Sequence, residues 1–226
     1  EAKIEFFTNV AHEIRTPLTL IKGPLEKVIR HTTDLPVIKE SLKIMERNTN
    51  RLIDLSNQLL DFRQTEIKGF SLHCVPTDIT GILEETFLNF KPLAEQSNLS
   101  FRIKLPAERI WASVDVEAFT KILTNLFSNA IKYAGSKVAV NLLPLNADAK
   151  HFVIEIKNDG YLIPYDLKEK IFEPFFRLKE TEKQKGTGIG LALSRSLTQL
   201  HNGTLEIKEN KQELNMFYLS LPVKQD

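Results

Sequence analysis

The sequence predicts a helical hairpin followed by a two-layer α+β sandwich domain. Two long stretches within residues 3–66 carry apolar side chains at the three- and four-residue spacing of helices. From residue 70 onward, short stretches that alternate like strands are mixed with further helical stretches. This mixture has no regular strand–helix–strand repeat, which favours an α+β sandwich over a doubly wound parallel sheet.

The first predicted helix covers residues 3–31 and displays a histidine. At about 100° per residue its apolar positions share one face; they are Phe7, Val10, Ile14, Leu18, Ile21, Leu25 and Val28. His12 lies roughly 160° from the centre of that face, so we expect it in solvent, with Thr16 one turn further on the same side. A lone exposed histidine needs no special role, but Pro17 removes a helical hydrogen bond and predicts a bend beside it.

A second predicted helix covers residues 37–66, after the turn sequence HTTDLP at residues 31–36. Its near-heptad stripe consists of Leu42, Met45, Thr49, Leu52, Ser56, Leu59 and Phe62. Two helices joined by a short loop have too little interior to bury both stripes, so a second copy is the natural partner. We therefore expect residues 1–67 to form one half of a dimeric four-helix bundle.

Residues 68–226 contain the predicted elements of the second domain. The predicted helices are 78–96, 116–134 and 188–201, and a long polar stretch, 161–185, precedes the last of them. The predicted strands are 70–76, 100–106, 111–115, 137–145, 151–159, 203–210 and 215–223, with the last two pairing as a hairpin.

The composition is that of an ordinary soluble protein. Of the 226 residues 42% are hydrophobic and 26% are charged, and the net charge of +1 gives no general attraction to nucleic acid or to a membrane surface. The single cysteine, Cys74, excludes an intramolecular disulfide and fits a reducing compartment. No apolar run reaches the roughly 18 residues that span a bilayer. Since helical pattern already runs at residue 4, we expect a cytoplasmic fragment of a longer protein.

Three glycines stand at the start of the last predicted helix, in KGTGIGLAL, residues 185–193. Glycine lets backbone amides approach an anion, and a helix N-terminus adds partial positive charge. An ordinary glycine-rich turn is the alternative, because the motif alone is weak. The Walker sequence and the protein-kinase sequences are absent, and no strand precedes the glycines as it does in a dinucleotide-binding fingerprint.

The helix predicted at 116–134 carries a polar edge in NLFSNAIKY, residues 125–133. Three or four residues separate Asn125, Asn129 and either Lys132 or Tyr133, so these side chains share one side of the helix. Mg²⁺ accepts a single amide oxygen when phosphates and waters complete its shell, and a lysine can meet a terminal phosphate. A polar edge on an otherwise buried helix explains the same residues equally well.

Five motifs occur in a fixed order along the chain: VAHEIRTPLTLI, NLFSNAIKY, NDGYLIP, IFEPFFR and KGTGIGLAL. In this order and spacing they resemble the H, N, G1, F and G2 boxes of bacterial sensor histidine kinases. The resemblance covers essentially the whole chain. It implies a dimerisation and histidine-phosphotransfer domain, residues 1–67, followed by a catalytic ATP-binding domain, residues 68–226, of the gyrase, chaperone and histidine kinase ATPase superfamily.

The resemblance assigns the phosphoryl chemistry to the first helix. It implies that His12 is the phosphoacceptor, that Glu13 removes the ring's other proton, and that Thr16 orients a water for the reverse, phosphatase reaction. It further implies ATP-dependent autophosphorylation in a homodimer, and phosphotransfer to an aspartate of a response-regulator receiver domain. The parent protein would be anchored in a membrane, although this fragment would not itself contact it.

The resemblance also implies how ATP is held. Asn129 matches the Mg²⁺-binding asparagine, and Lys132 and Tyr133 match phosphate and nucleotide contacts. Asn125 stands where related hydrolysing ATPases place a glutamate; because an amide cannot take a proton from water, this favours transfer to histidine over hydrolysis. The motifs imply further nucleotide-binding positions, which are Asn158, Gly160, Gly186, Thr187, Gly188, Gly190 and Leu191.

The G1 motif departs from the family pattern Asp-x-Gly-x-Gly. Asn158 replaces the aspartate that accepts a hydrogen bond from the adenine amine, and Leu162 replaces the second glycine. A neutral acceptor weakens that bond, and Asp159 does not substitute because it faces the other side of the strand. Two further functions therefore stay open: a nucleotide-binding dimeric scaffold with weakened or no kinase activity, and a net phosphatase regulated by nucleotide.

The charged sequence LKETEKQK, residues 178–185, predicts a mobile lid beside the phenylalanines of IFEPFFR, which we expect to pack under it. Lys183 or Lys185 is a candidate phosphate contact, with an ordinary solvated lysine as the alternative.

Overall fold

The computed structural model describes residues 2–30, 35–66, 71–146, 148–181, 184, 186–208 and 214–224. Contacts between residues divide the chain into two compact units, Glu1–Arg63 and Gln64–Asp226, which we call the helical unit and the sheet unit. The predicted domain boundary near residue 68 falls among residues 67–70, outside the described ones.

Two long helices form the helical unit. Helix α1 is Ala2–Arg30 and helix α2 is Leu35–Thr65, so both predicted helices are confirmed to within two residues at either end. The turn predicted at residues 31–36 lies mostly outside the described residues. Two prolines, Pro17 and Pro24, lie inside α1.

The buried face of α2 differs from the predicted stripe. Four residues at intervals of seven are buried: Ser41, Asn48, Leu55 and Phe62. Of the predicted stripe only Phe62 is buried to this degree, and Leu42 is 51% exposed. Two polar residues, Ser41 and Asn48, take inner positions within one copy. Burial of the predicted stripe by a second copy stays a prediction. Asn48 is buried without cost to its amide, since its Nδ2 donates to the carbonyl of Ile44 at 2.7 Å.

The described side chains of α1 are mostly exposed in a single copy. Pro17 is buried and Ile21 and Val28 are half-buried, but Leu18 and Leu25 are exposed. Among the described side chains of α1, the buried and half-buried ones therefore form a narrower strip than the apolar face of the sequence. Apolar side chains that flank such a strip remain exposed in a single copy of the chain.

The sheet unit is built on a five-stranded mixed sheet. Its strands, in spatial order, are β2 (Ser100–Lys104), β4 (Lys137–Leu142), β5 (His151–Asn158), β7 (Asn215–Pro222) and β6 (Thr204–Lys208). Strands β2 and β4 are parallel, and the other neighbours are antiparallel, including the predicted β6–β7 hairpin. Two short strands, β1 (Val75–Asp78) and β3 (Trp111–Val114), form a separate antiparallel pair. The α+β prediction is confirmed.

Three helices pack on this sheet: α3 (Ile79–Gln96), α4 (Val116–Tyr133) and α5 (Gly190–Leu200). Helix α4 contacts α3, α5 and β5. Its Phe119 ring meets the Phe152 ring of β5 edge-on, with 6.0 Å between the ring centroids, and both side chains are buried. The core therefore lies between α4 and the buried side of the sheet, and the polar edge of α4 is left for other contacts.

One aspartate fixes the start of α4. Its Oδ1 accepts the N–H of Ala118 at 3.0 Å as a helix N-cap, and its Oδ2 accepts the N–H of His73 at 2.9 Å. The N–H of this residue, Asp115, is donated to Nε2 of His201 at 3.1 Å. The buried His201 ring must then carry its proton on Nδ1, which donates to the carbonyl of Leu197 at 2.8 Å.

The strand predicted at residues 70–76 was wrong in its position. Strand β1 begins at Val75, and residues 71–74 are irregular. The backbone N–H of His73 is taken by the carboxylate of Asp115 instead of a strand ladder. Alternation of side chains could not reveal this, because the carboxylate comes from a residue far along the chain.

Candidate nucleotide-binding site

The polar edge of α4 meets the glycine-rich loop at the start of α5. The Asn125 Nδ2 donates to the carbonyl of Gly190 at 3.3 Å. A β-carbon added at Gly190 would lie 3.4 Å from the Asn125 Oδ1, so glycine permits this close approach. Asn129 lies one turn further along α4 and is half-buried, and its amide makes no hydrogen bond to the residues that the structure describes.

Two further α4 side chains reach the same loop. The Lys132 Nζ donates to the Tyr133 hydroxyl at 2.8 Å and lies 4.4 Å from the centroid of that ring. A β-carbon added at Gly186 would lie 2.5 Å from Lys132 Nζ, so any side chain at residue 186 would displace the ammonium group. Burial raises the pKa of Tyr133 despite the opposing charge of Arg177, so the phenol is neutral at pH 7.

The glycine-rich loop is tied to the IFEPFFR segment through the backbone. The N–H of Phe175 donates to the carbonyl of Gly188 at 2.9 Å. Both residues have positive φ, 66° at Phe175 and 75° at Gly188. A β-carbon at Gly188 would lie 2.8 Å from backbone atoms of Phe175, so space and conformation both require glycine here.

The remaining predicted residues of this loop have separate places. The hydroxyl of Thr187 accepts the N–H of Ile189 at 3.3 Å, and Leu191 is half-buried in the first turn of α5. Ile171 and Phe172 of the IFEPFFR segment are buried. The Phe172 ring lies 4.5 Å from the guanidinium of Arg195 in α5, which holds this segment against that helix.

The G1 motif packs against the end of α4. A β-carbon at Gly160 would lie 1.7 Å from the carbonyl oxygen of Tyr133, an impossible distance. Glycine at this position is therefore explained by the close approach of two backbones. Leu162, where the family pattern has its second glycine, is 51% exposed and does not contribute to the core.

The carboxylate of Asp159 is fully engaged in the turn between α4 and β4. It accepts the backbone N–H groups of Gly135, Ser136 and Lys137 at 2.9–3.0 Å, and the Ser136 hydroxyl at 2.5 Å. Burial alone would raise the pKa of Asp159, but these hydrogen bonds outweigh it and hold that pKa well below its usual range. Asp159 therefore stabilises the turn between α4 and β4 through these hydrogen bonds.

Asn158 ends β5 and pairs with a residue that the sequence reasoning missed. Its Oδ1 accepts a hydrogen bond from Nδ2 of Asn215 at 3.0 Å, and its Nδ2 donates to the carbonyl of Ala130 at 3.4 Å. Asn215 also donates to the carbonyl of Tyr161 at 2.9 Å and accepts the N–H of Ile163 at 2.9 Å. Each of the two asparagine side chains is only 4% exposed. The one signal in the sequence was a polar residue at the head of the apolar run MFYLSLP.

The VAHEIRTPLTLI motif lies on α1 in the helical unit. His12 and Glu13 are helical residues whose side chains fall outside those described, while Thr16 is exposed and Pro17 is buried. Lys183 and Lys185 also lie outside the described residues. The structure thus gathers the α4, G1 and G2 residues in the sheet unit.

The donor set on α4 fits a hydrated Mg²⁺ with bound phosphates. Among the described residues no group of three or more His, Cys, Asp and Glu side chains is gathered to hold a metal. An all-protein metal cage is therefore not built from that part of the chain, whereas Mg²⁺ needs only one or two protein oxygens beside phosphate and water. The amide oxygen of Asn129 can supply such a ligand, with Lys132 one turn away.

Comparison with protein families agrees with this architecture. Residues 114–225 match the family described as "Histidine kinase-, DNA gyrase B-, and HSP90-like ATPase", and residues 2–66 match the "His Kinase A (phospho-acceptor) domain". The fold and the site thus define an ATPase domain of that class joined to a phosphoacceptor helical domain. The chain belongs to the sensor histidine kinase family.

Individual relatives of the chain are also histidine kinases. Over 99% of its length the chain is 32% identical to "Histidine kinase P4" of Formosa agariphila, and over 98% it is 31% identical to "Sensor histidine kinase TmoS" of Ectopseudomonas mendocina. It spans only 17% and 23% of those two relatives. The solved structure of histidine kinase ThkA in complex with response regulator protein TrrA superposes with a TM-score of 0.77 at 26% identity, covering 97% of this chain and 61% of that one. Within the described residues, no helix is long and apolar enough to cross a membrane.

Proposed function

We propose that this chain is the kinase core of a sensor histidine kinase, which transfers the γ-phosphoryl group of ATP to His12. The observation that carries the proposal is the meeting of the α4 edge with the glycine-rich loop. The Lys132 ammonium occupies the space that a side chain at Gly186 would take, and Asn125 approaches Gly190. A cation, amide oxygens and backbone N–H groups at a helix start form a suitable setting for a triphosphate.

The chemistry requires little covalent work from the sheet unit. A neutral nitrogen of His12 forms the N–P bond as the bond between the γ-phosphorus and the bridging oxygen breaks, and ADP leaves. The ring's other proton passes to Glu13. Asn129 would hold a Mg²⁺ ion, which would offset charge on the phosphates, and Lys132 would meet the phosphates as a point charge. Asn125 has no basic group with which to activate water, so hydrolysis is not promoted.

The same proposal includes partners and a second activity. The phosphoryl group on His12 passes to an aspartate of a response-regulator receiver domain, and Thr16 orients water for dephosphorylation of that partner. A homodimer is supported by apolar side chains left exposed on both helices of the helical unit, among them Leu18, Leu25, Leu42 and Leu60. The parent protein is anchored in a membrane and places this chain in the cytoplasm.

A specific observation favours one alternative, the nucleotide-binding scaffold without transfer. Residue 158 is neutral, and its carbonyl oxygen already accepts a hydrogen bond from Asn215. The adenine amine therefore meets a weaker acceptor than a carboxylate would provide. A scaffold of this kind would bind nucleotide and leave His12 unmodified.

Labelling with ATP decides between the two functions. The chain is incubated with γ-labelled ATP and Mg²⁺, and acid-labile, base-stable label is measured. We expect label on the wild type and none on His12→Ala, while His73→Ala, which alters an exposed histidine before β1, keeps it. Bound nucleotide without label on the wild type would support the scaffold. Absence of nucleotide binding would refute both functions.

A further inference from the structure

The orientation of the Asn158 amide is fixed by its neighbour. The backbone N–H of Ile163 can only donate, so Asn215 must turn its Oδ1 towards it. The carbonyl of Tyr161 can only accept, so it accepts a hydrogen bond from one N–H of the Asn215 Nδ2 group. The second Nδ2 proton is then directed at Asn158, whose Oδ1 must face Asn215. Four groups from β5, β7 and the G1 loop thus determine one arrangement.

This arrangement leaves residue 158 with both kinds of hydrogen-bonding group. The Nδ2 of Asn158 faces the carbonyl of Ala130 at 3.4 Å, which uses one of its two protons. One Nδ2 proton and one Oδ1 lone pair therefore remain unused by the described residues. A carboxylate at this position would only accept, and it would oppose the Ala130 carbonyl lone pair to lone pair. The neighbours therefore suit an amide at residue 158.

Purine bases differ at the edge that such a group reads. A 6-aminopurine presents a donor at C6 and an acceptor at N1, whereas a 6-oxopurine presents an acceptor at C6 and a proton at N1. An ionised carboxylate accepts a hydrogen bond from the amine and repels the oxo group, because it has no proton to donate. A neutral amide carries a donor and an acceptor and repels neither base. Asp159 cannot restore the missing charge, since its carboxylate is held by the turn after α4.

We propose that the base-binding part of this pocket admits 6-oxopurine nucleotides, inosine and guanosine triphosphates, nearly as well as ATP. The proposal rests on the proposed function, since it takes residue 158 as the group that meets position 6 of the base. Asn215 is then a specificity-determining residue that acts through the orientation of the Asn158 amide. The rest of the site, on α4 and the glycine-rich loop, serves the triphosphate and is indifferent to the base.

Displacement of a fluorescent ribose-labelled ATP by unlabelled nucleotides tests the proposal directly. ITP is the informative competitor, because it differs from ATP only at position 6 and in the proton at N1. For the wild type with Mg²⁺ we expect a Kd for ITP less than about tenfold above that for ATP. The variant Asn158→Asp restores the charge and should raise the ratio of the two Kd values at least about tenfold. The matched control Asn98→Asp adds the same charge to an exposed turn after α3 and should leave the ratio unchanged.

The possible results distinguish failure of the relaxed base specificity from failure of the proposed kinase function. A wild-type ratio of about ten or more, or an unchanged ratio in folded Asn158→Asp, overturns the relaxed base specificity while the kinase proposal stands. Failure of both ATP and ITP to displace the label, or failure of the label to bind, contradicts the proposed function and this inference with it. If Asn158→Asp does not fold, the wild-type ratio alone decides.

Discussion

Replacing Asp159 by asparagine tests how the turn between α4 and β4 is held. The carboxylate accepts three backbone N–H groups and one hydroxyl, and both of its oxygens take part. An amide of the same shape keeps one acceptor oxygen but turns its Nδ2 protons towards donors. We expect Asp159→Asn to destabilise the sheet unit while leaving its fold intact.

The structure allows a magnitude for this loss. A hydrogen bond to a charged group contributes about 1.5–3 kcal/mol when it is well shielded, but Asp159 is half exposed and water competes for each bond. If about half of the bonds are lost at about 1 kcal/mol each, the free energy of unfolding falls by about 2 kcal/mol. For a domain of this size that loss lowers Tm by about 4–8 °C.

Urea unfolding followed by tryptophan fluorescence is the appropriate assay. The single tryptophan, Trp111, lies on β3, so its signal reports the sheet unit. Hydrogen bonding holds the pKa of Asp159 low, so its contribution is complete above about pH 4 and is lost as pH falls through the lowered pKa. The difference in urea midpoint between the wild type and Asp159→Asn should therefore become smaller below about pH 4. Equal urea midpoints at pH 7, matching the exposed control Asp166→Asn, would refute the reasoning.

Two further predictions concern α5 and the glycine-rich loop. Burial lowers the pKa of His201, so stability should be full above about pH 6.5 and fall as pH drops through the lowered pKa. The urea midpoint at pH 7.5 and 5.5 measures this, and His201→Gln should remove most of the difference; an undiminished difference would exclude His201 as its source. Gly188→Ala forces a side chain into φ 75° against the Phe175 backbone and should weaken binding of the labelled nucleotide at least about tenfold. Gly23→Ala, in open space on α1, is its control and should leave that affinity unchanged.

Local signals in the sequence were sufficient for most elements of the sheet unit. Helix α4 was found because its apolar residues repeat over five turns, and the β6–β7 hairpin because two short strand-like stretches follow α5. The glycines of the G2 motif were predicted to let backbone amides approach an anion before α5, but their contacts with distant residues were not predicted. Gly188 is required by the backbone of Phe175, and a side chain at Gly186 would displace the ammonium group of Lys132, which lies far from it along the chain.

What the sequence did not reveal depended on distant partners. Asn215 lies 57 residues from Asn158 and joins it only because β5 and β7 are neighbours in the sheet. Strand β1 was misplaced because Asp115, 42 residues away, takes the backbone N–H of His73. The apolar stripes of α1 and α2 include residues buried within one copy and residues that a second copy would cover. Periodicity alone cannot distinguish these two sets.

The hydrogen bond between Asp115 and His201 has a consequence for synthesis on the ribosome. It joins residues 86 positions apart, and the N–H that it satisfies belongs to the N-cap of α4. Strand β7, which separates β5 from β6, ends at Pro222. An emerging chain can form the helical hairpin early, but it cannot complete the sheet unit until the residues of β7 have left the exit tunnel. The sheet unit is therefore completed only after both helices of the helical unit have been made.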